Sequence, residues 1–188
     1  MKAPSRSILW LLALLVLLVG GNCGRQAWQR HFDRGIITTV YVVRHAEKDL
    51  TPNLPDPLLT PAGQQRALAL RDSLLPRQTL GAIFSTATTR TRATAEPLAQ
   101  ALGLTIQEYD ARQLPALVAQ IRRNYAGQRV LVVGHSNTIL ETVEALGATR
   151  PVPTIGDNEY DYLLEVRMSK DSTLAPTARA RRYGSPGR

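Results

Sequence analysis

Two short segments carry histidine directly after an apolar run, and these residues are the best suited to chemistry. Residues 40–43 (VYVV) are followed by Arg44 and His45, and residues 130–134 (VLVVG) are followed by His135. A neutral imidazole can act as a nucleophile, and a guanidinium binds phosphate oxygens through its planar fork. If the two segments end at the same place, they form one site with two histidines.

The apolar runs have the composition of buried strands in an α/β sheet. We predict strands over residues 38–43, 81–84, 104–109, 130–134 and 162–168, and helices over residues 61–75, 90–102, 115–125 and 137–146. Thr60 and Pro61 mark the start of the first helix, as an N-cap followed by proline at the first helical position. Strands alternating with helices predict a three-layer sandwich, with a mostly parallel central sheet and helices on both faces. Ligands of such sheets bind beyond the carboxyl ends of the strands, where the two histidines stand.

A third segment places hydroxyl and guanidinium groups at another predicted strand end. Ser85 and Thr86 follow the strand at 81–84, and Arg90 lies where the next helix begins. The start of a helix has free backbone N–H groups and a positive dipole end, which favour bound anions. Together with the arginine and the histidines above, these groups would form a pocket for a dianionic phosphoryl group.

Four segments in this order resemble the histidine phosphatase superfamily, which has the phosphoglycerate mutase-like fold. The segments are residues 43–48 (VRHAEK), 59–67 (LTPAGQQRA), 85–97 (STATTRTRATAEP) and 133–138 (VGHSNT). The resemblance extends over residues 38–168. It implies one histidine phosphatase domain, to which we assign residues 36–170.

The resemblance also implies a role for each residue. His45 would be the nucleophile that forms a phosphohistidine, and Arg44, Arg90 and His135 would hold the phosphoryl oxygens. Arg90 takes this role rather than Arg92, because it precedes the ATAE segment by the interval typical of the family. No cofactor and no metal are expected, since the arginines supply the positive charge.

Three further residues complete the predicted site. Ser136 directly follows the second histidine and is a candidate for binding phosphate, but the residue types of Ser136 and Asn137 favour capping of the helix that follows over a role in catalysis. A proton donor must reach the leaving oxygen. Glu47 lies two residues after the nucleophile, and Asp110 follows the strand predicted over 104–109, so both are candidates for the acid.

The first two dozen residues differ from the rest of the chain. Lys2 and Arg6 precede an apolar stretch over residues 8–19, and small residues and Cys23 follow it. The stretch is shorter than the roughly 20 residues that span a bilayer, so residues 1–23 are predicted to be a signal peptide or an N-terminal membrane anchor. The single cysteine excludes an intrachain disulfide and is a candidate for lipidation. We therefore expect an exported protein of the periplasm or cell envelope, cleaved free or attached to the membrane through this segment or lipidated Cys23.

The other end of the chain is basic and is predicted to be a flexible tail over residues 171–188. Its arginines are Arg179, Arg181, Arg182 and Arg188, and the formal net charge of the whole chain is +8. A nucleic-acid partner is not expected, because the tail offers one aromatic residue for stacking and export separates the protein from nucleic acid. The charge instead favours phosphorylated or acidic substrates, or an anionic membrane face.

These observations predict an acid phosphatase-type enzyme that hydrolyses phosphomonoesters through a phosphohistidine on His45. Its substrate would be a phosphorylated small molecule or a phosphoprotein. The chain between the strands at 81–84 and 130–134 is too short for the cap that a bulky inositol polyphosphate requires. Two alternatives remain open: an exported module that binds a phosphate ligand without turnover, and a phosphatase that acts on phosphohistidine in proteins.

Overall fold

Six strands form one sheet within residues 29, 32–77 and 80–184, the part of the chain that the computed structural model describes. The strands are β1 (Ile37–Arg44), β2 (Ala82–Ser85), β3 (Ile106–Glu108), β4 (Arg129–Gly134), β5 (Tyr162–Ser169) and β6 (Thr177–Arg182). The helices that cover the sheet are α1 (Pro61–Leu74), α2 (Thr89–Leu102), α3 (Leu114–Asn124) and α4 (Ile139–Ala145), and a 3-10 turn over Leu75–Arg77 extends α1. The predicted alternation of strands and helices is therefore present.

The sheet has the order β3-β2-β4-β1-β5-β6, and its pairings are mostly parallel. The pairs β3–β2, β2–β4 and β4–β1 are parallel, whereas β1–β5 and β5–β6 are antiparallel. The register of the central pair sets Arg44 of β1 opposite Gly134 of β4. The two histidine-bearing strands are thus direct neighbours and end at the same edge.

Alternate residues of the central strands are buried against different helices. Val40 and Val42 of β1 pack in one apolar cluster with α3 and α4, while Tyr41 and Val43 pack in a second cluster with α1 and α2. Successive side chains of a strand point to opposite faces, so a strand covered on both faces is apolar throughout. The predicted three-layer sandwich is confirmed.

The start of α1 is built as its sequence indicates, and it rests against the segment after β1. The Thr60 side chain accepts a hydrogen bond from the Gly63 backbone N–H at 3.1 Å. A Cβ atom at Gly63 would lie 2.2 Å from the backbone oxygen of Glu47. Glycine at this position therefore allows the helix to approach the chain two residues beyond His45.

The prediction of a flexible tail over residues 171–188 is wrong for the part that forms β6. Residues 177–182 pair with β5 along six residue pairs, and Ala178 and Ala180 pack against the core. Tyr183, which follows, is buried in the cluster beneath α1 and α2. The arginines suggested a solvated tail, but the small residues between them let the strand lie against β5. The domain consequently extends beyond residue 170, and residues 185–188 lie outside the described part.

The predicted signal or anchor segment, including Cys23, lies outside the described residues. Within residues 29, 32–77 and 80–184, no helix combines the length and the apolar character needed to cross a membrane.

Candidate active site

The carboxyl ends of β1 and β4 bring the two predicted histidines together. His45 follows β1 and donates its backbone N–H to the Gly134 oxygen at 2.9 Å, and His135 follows Gly134 directly. The ring centroids of the two histidines are 5.5 Å apart, with an angle of 64° between the ring planes. Residues far apart in sequence therefore share one site, because parallel neighbours end at a common edge.

The histidines line a cavity of about 560 Å³ at this edge. Its lining residues are Arg44, His45, Lys48, Leu50, Arg90, His135, Ser136, Asn137, Asp157, Asn158 and Tyr160. The volume suits a small ligand or the end of a larger one. Arg44, Arg90 and Lys48 give the cavity positive charge, which favours an anionic ligand.

His45 is held in the tautomer that a nucleophile needs. Its Nδ1 lies 2.8 Å from the Ala46 backbone oxygen. A carbonyl oxygen only accepts hydrogen bonds, so Nδ1 donates the proton and Nε2 keeps its lone pair. Burial, together with the positive charges of Arg44 and Arg90, lowers the pKa of His45 to about 3. The ring is therefore neutral at ordinary pH.

His135 has a similar environment on the neighbouring strand. Its Nε2 lies 3.0 Å from the Thr86 hydroxyl, and its Nδ1 lies 3.4 Å from an Nη atom of Arg90. Thr86 follows β2, so the three parallel strand ends contribute to one edge. Burial, followed by the charges of Arg90 and Arg44, lowers the pKa of His135 to about 4. This ring too is neutral and can donate from Nε2.

Arg44 is fixed by backbone carbonyls of the loop that precedes β5. One Nη of Arg44 donates to the oxygens of Gly156, Asp157 and Glu159 at 3.0, 2.8 and 3.4 Å. The guanidinium also lies 4.1 Å from the ring centroid of Tyr160. Burial lowers the pKa of Arg44, but an arginine keeps its charge in proteins. The guanidinium is a fixed cation beside His45.

Arg90 is held from outside by Asp56. An Nη of Arg90 lies 3.4 Å from the Asp56 carboxylate, which also accepts the Thr89 backbone N–H at 3.0 Å. Within the described residues, the Nε atoms of Arg44 and Arg90 are buried and have no hydrogen-bond partner. A buried N–H without a partner is costly, and an anion in the cavity is the ligand that guanidinium groups bind best.

The structure separates the two predicted proton donors from the cavity. Glu47 accepts from Arg66 at 2.7 and 2.8 Å, and Asp110 pairs with Arg112 at 2.9 Å. Neither Glu47 nor Asp110 lines the cavity. The hydrogen bond from the Arg112 side chain lowers the pKa of Asp110, so this group holds its proton poorly. The structure therefore brings neither carboxylate into the cavity, because each forms an ion pair elsewhere.

Two other predictions concern residues next to the site. Ser136 lines the cavity, and the N-cap position of α4 belongs to Thr138 rather than to Ser136 or Asn137. The helix starts two residues later than predicted, so residues 136 and 137 are in the turn after His135. Arg92 pairs with Glu108 at 2.8 Å on the surface. Of the two neighbouring arginines, Arg90 is the one in the cavity.

Lys48, Asp157, Asn158 and Tyr160 were not identified from the sequence as site residues. Lys48 belongs to the same motif as the nucleophile, and this proximity was a usable signal. The others come from the loop before β5. Because β5 runs antiparallel to β1, its start lies at the end of β1. The direction of β5 would have placed this loop at the site, but the sequence pattern does not contain that direction.

No group of three or more His, Cys, Asp or Glu side chains suited to a metal ion is found among the described residues. The positive charge of the cavity comes from arginine and lysine side chains. These bind phosphoryl oxygens directly.

Solved structures share this fold over most of their length. A mycobacterial glucosyl-3-phosphoglycerate phosphatase has a TM-score of 0.61 at 14% identity, over 79% of this chain and 99% of its own. A protein histidine phosphatase SixA in complex with tungstate has a TM-score of 0.59 at 17% identity, over 79% and 97%. A SixA from Agrobacterium tumefaciens has a TM-score of 0.53 at 21% identity, over 79% and 98%. At these identities the likeness defines the class by its fold, a phosphoglycerate mutase-like α/β protein.

A family model matches part of the sequence. Residues 40–112 match the histidine phosphatase superfamily (branch 1), while no curated protein sequence matches the chain. The matched part includes most of β1, the segment with His45, and Arg90. The match and the fold confirm the resemblance to the histidine phosphatase superfamily, and together they support a phosphatase.

Proposed function

We propose that this protein hydrolyses phosphomonoesters through a phosphohistidine formed on Nε2 of His45. The observation that carries the proposal is the state of this residue. His45 is neutral, its Nδ1–H is committed to a carbonyl, and two guanidinium groups with buried, unpaired Nε atoms belong to the same cavity. A nucleophile and a charge clamp of this kind suit in-line phosphoryl transfer.

In the first step, the Nε2 lone pair of His45 attacks phosphorus and the ester P–O bond breaks. The new N–P bond leaves the ring with a positive charge, and the Nδ1–H stays bonded to the Ala46 oxygen. Arg44 and Arg90 are the donors for the equatorial oxygens, where negative charge concentrates, and the Nε2–H of His135 joins them when a phosphoryl oxygen replaces the Thr86 hydroxyl as its acceptor. The reaction needs no metal in this account, because fixed cations supply the charge.

In the second step, a water oxygen attacks phosphorus and the N–P bond breaks. The electron pair returns to Nε2 of His45, and inorganic phosphate leaves with the oxygen and one proton of the water, while the other proton returns to the group that protonated the leaving oxygen. The neutral histidine is restored with its Nδ1 proton unchanged. The cycle therefore divides one displacement at phosphorus into two. Nε2 of His45 is the attacking atom in the first and the leaving atom in the second.

We assign Asp157 as the residue that donates a proton to the leaving oxygen. Among the described residues that line the cavity, it carries the one carboxyl group. Its backbone oxygen accepts a hydrogen bond from Arg44 at 2.8 Å, which fixes the residue close to the guanidinium that is proposed to bind phosphate. An alkoxide leaving group needs a proton as its bond to phosphorus breaks. The Asp157 carboxyl would give that proton and recover it from the attacking water in the second step.

A second candidate function is hydrolysis of phosphohistidine in proteins. The neighbour named protein histidine phosphatase SixA favours it, and so does the exposed Leu50 at the rim of the cavity, which a protein surface could cover. An imidazole leaves more easily than an alkoxide, so this substrate depends less on a proton donor. Dependence of the rate on Asp157 would therefore separate the two functions.

The test of the proposed function is trapping of the phosphoenzyme. Protein incubated with a radiolabelled phosphomonoester and quenched should carry label that is stable in base and labile in acid. His45→Ala should carry none, and Asp110→Asn should carry as much as the wild type. Phosphate retained without covalent label or turnover would contradict the proposal and favour a module that only binds phosphate.

We also propose export to the cell envelope, which the basic and apolar composition of residues 1–19 and the position of Cys23 support. Fractionation of the natural host cell should recover the protein outside the cytoplasm. Cys23→Ser should release it from the membrane fraction if the cysteine is lipidated and leave it unchanged if the apolar segment is the anchor. Recovery from the cytoplasm would contradict the proposal.

A further inference from the structure

The loop that binds Arg44 also has contacts with β6, the strand next to β5. Its residues 156–159 lie before β5, and three of its carbonyl oxygens bind one Nη of Arg44. Residues 156–158 are exposed, so the loop has little packing of its own to fix these carbonyls. Their positions must come from other contacts.

Glu159 supplies one of these contacts within the loop. Its carboxylate accepts the backbone N–H of Gly156 at 2.8 Å, which closes the turn. The same carboxylate accepts from Arg182 at 2.7 Å. The turn that presents carbonyls to Arg44 is therefore closed by a side chain whose own position depends on β6.

Arg182 binds the other end of the segment as well. Its second Nη donates to the carboxylate of Asp161, whose side chain is 2% exposed. The guanidinium lies 3.7 Å from the ring centroid of Tyr162. The Arg182 guanidinium thus binds Glu159 and Asp161, the two residues that flank Tyr160 in the sequence. The ring of Tyr160 is the one that the Arg44 guanidinium packs against. A lysine offers one nitrogen and could not span both carboxylates in this way.

We propose that Arg182 is a positioning residue of the phosphate site, which acts through Glu159 and Asp161 to fix the carbonyls that orient Arg44. This inference rests on the proposed role of Arg44 in binding phosphate. Residues that orient a binding group are costly to change because small displacements of the group reduce binding and rate. The terminal strand is thereby part of the site, although it contributes no residue to the cavity lining.

The chain provides a matched control on the same strand. Arg181 precedes Arg182 and pairs with Glu165 of β5, whose side chain is 10% exposed. The two arginines have similar exposure, at 41% and 47% of the side chain. Removing either one leaves a shielded carboxylate without its partner, so both losses should lower stability. The phosphate site should be affected by the loss of Arg182 alone.

The experiment compares Arg182→Met with Arg181→Met, which keep the length of the apolar stem. Calorimetric titration with inorganic phosphate measures the affinity of the cavity for phosphate. Hydrolysis of p-nitrophenyl phosphate gives kcat and KM. Arg182→Met should weaken phosphate binding about tenfold and lower kcat/KM by a similar factor, within the range known for residues that orient a binding group. Arg181→Met should change both by less than about twofold, and Arg182→Lys should recover part of the loss.

Equal phosphate affinities in the two methionine variants, with equal losses of melting temperature, would overturn the inference and leave Arg182 a purely structural residue. If Arg182→Met does not fold, Arg182→Lys is compared with Arg181→Lys, and equal affinities would again overturn it. Phosphate binding does not require turnover. A wild type that binds phosphate without forming phosphohistidine would contradict the proposed enzyme while the role of Arg182 stays measurable.

Discussion

The parallel and antiparallel halves of the sheet contribute to the site in different ways. The ends of β1 and β4 supply His45 and His135, which line the cavity. The antiparallel strands β5 and β6 support Arg44, through the loop before β5 and through Arg182. The two histidines can be predicted from short motifs, whereas the groups that orient Arg44 come from distant parts of the chain with no motif of their own.

The largest effect should come from the reacting group of the parallel half. His45→Ala removes the nucleophile, so turnover of p-nitrophenyl phosphate should fall by several orders of magnitude, on the order of 10⁴ or more. His135→Ala removes a donor that is not itself bonded to phosphorus, and its loss should be smaller. Single-turnover kinetics checks both. A His45→Ala protein that keeps a tenth of the activity would contradict covalent catalysis.

The two arginines allow a sharper comparison, because they are held differently. Arg44 is fixed by three carbonyl oxygens and a ring, whereas Arg90 has a carboxylate contact at 3.4 Å. Arg44→Lys should therefore lose about 10²-fold to 10³-fold in kcat/KM, the range for loss of a preorganised donor. Arg90→Lys should lose about tenfold, because the ammonium can move to the anion. The two variants are compared by kcat/KM for the same ester. Equal losses would show that the three carbonyl oxygens do not contribute to the function of Arg44.

Asp157→Asn tests whether the loop of the antiparallel half also takes part in the reaction. Its effect should depend on the leaving group, with a loss of about 10²-fold for an alkyl phosphate and little loss for p-nitrophenyl phosphate. Asp110→Asn is the control, since that carboxylate is paired with Arg112 outside the cavity. A rate series over esters of increasing leaving-group pKa measures the dependence. An identical slope in wild type and variant would exclude Asp157 as the donor.

The smallest effect is on stability at acid pH. The pKa of His45 is lowered to about 3 and that of His135 to about 4, while an unfolded histidine has a pKa of about 6.5. Between about pH 6.5 and pH 4 the unfolded state binds protons that the folded state does not, so the free energy of unfolding falls as the pH falls. Above this window the two histidines add no pH dependence.

Denaturant unfolding at several values between pH 7.5 and pH 4.5 measures this slope. The variant His45→Gln with His135→Gln should show a shallower slope than the wild type, because it lacks both groups. Equal slopes would mean that the two histidines bind protons equally in the folded and unfolded states. The folded site would then not keep His45 neutral below about pH 6.5.

The predicted fold followed from local patterns and agrees with the structure in class. The runs at 40–43 and 130–134 are apolar throughout because both faces of the sheet are covered. The positions of several charged side chains were not predicted, for one reason. Glu47 and Asp110 are carboxylates near the predicted site in sequence, but their positions are decided by Arg66 and Arg112. Arg181 and Arg182 resembled part of a solvated tail because their carboxylate partners lie earlier in the sequence, on β5 and in the segment before it.

By itself, the sequence determined which residues could carry out phosphoryl transfer and that each follows a strand. Hydrophobic periodicity and helix caps are local properties, so they specify where strands end and helices begin. Three features follow from the folded structure alone: β5 runs antiparallel to β1, the loop before β5 binds Arg44, and Arg182 binds carboxylates of this segment. These are contacts between distant residues, and their geometry depends on the direction and register of strands, which composition does not contain.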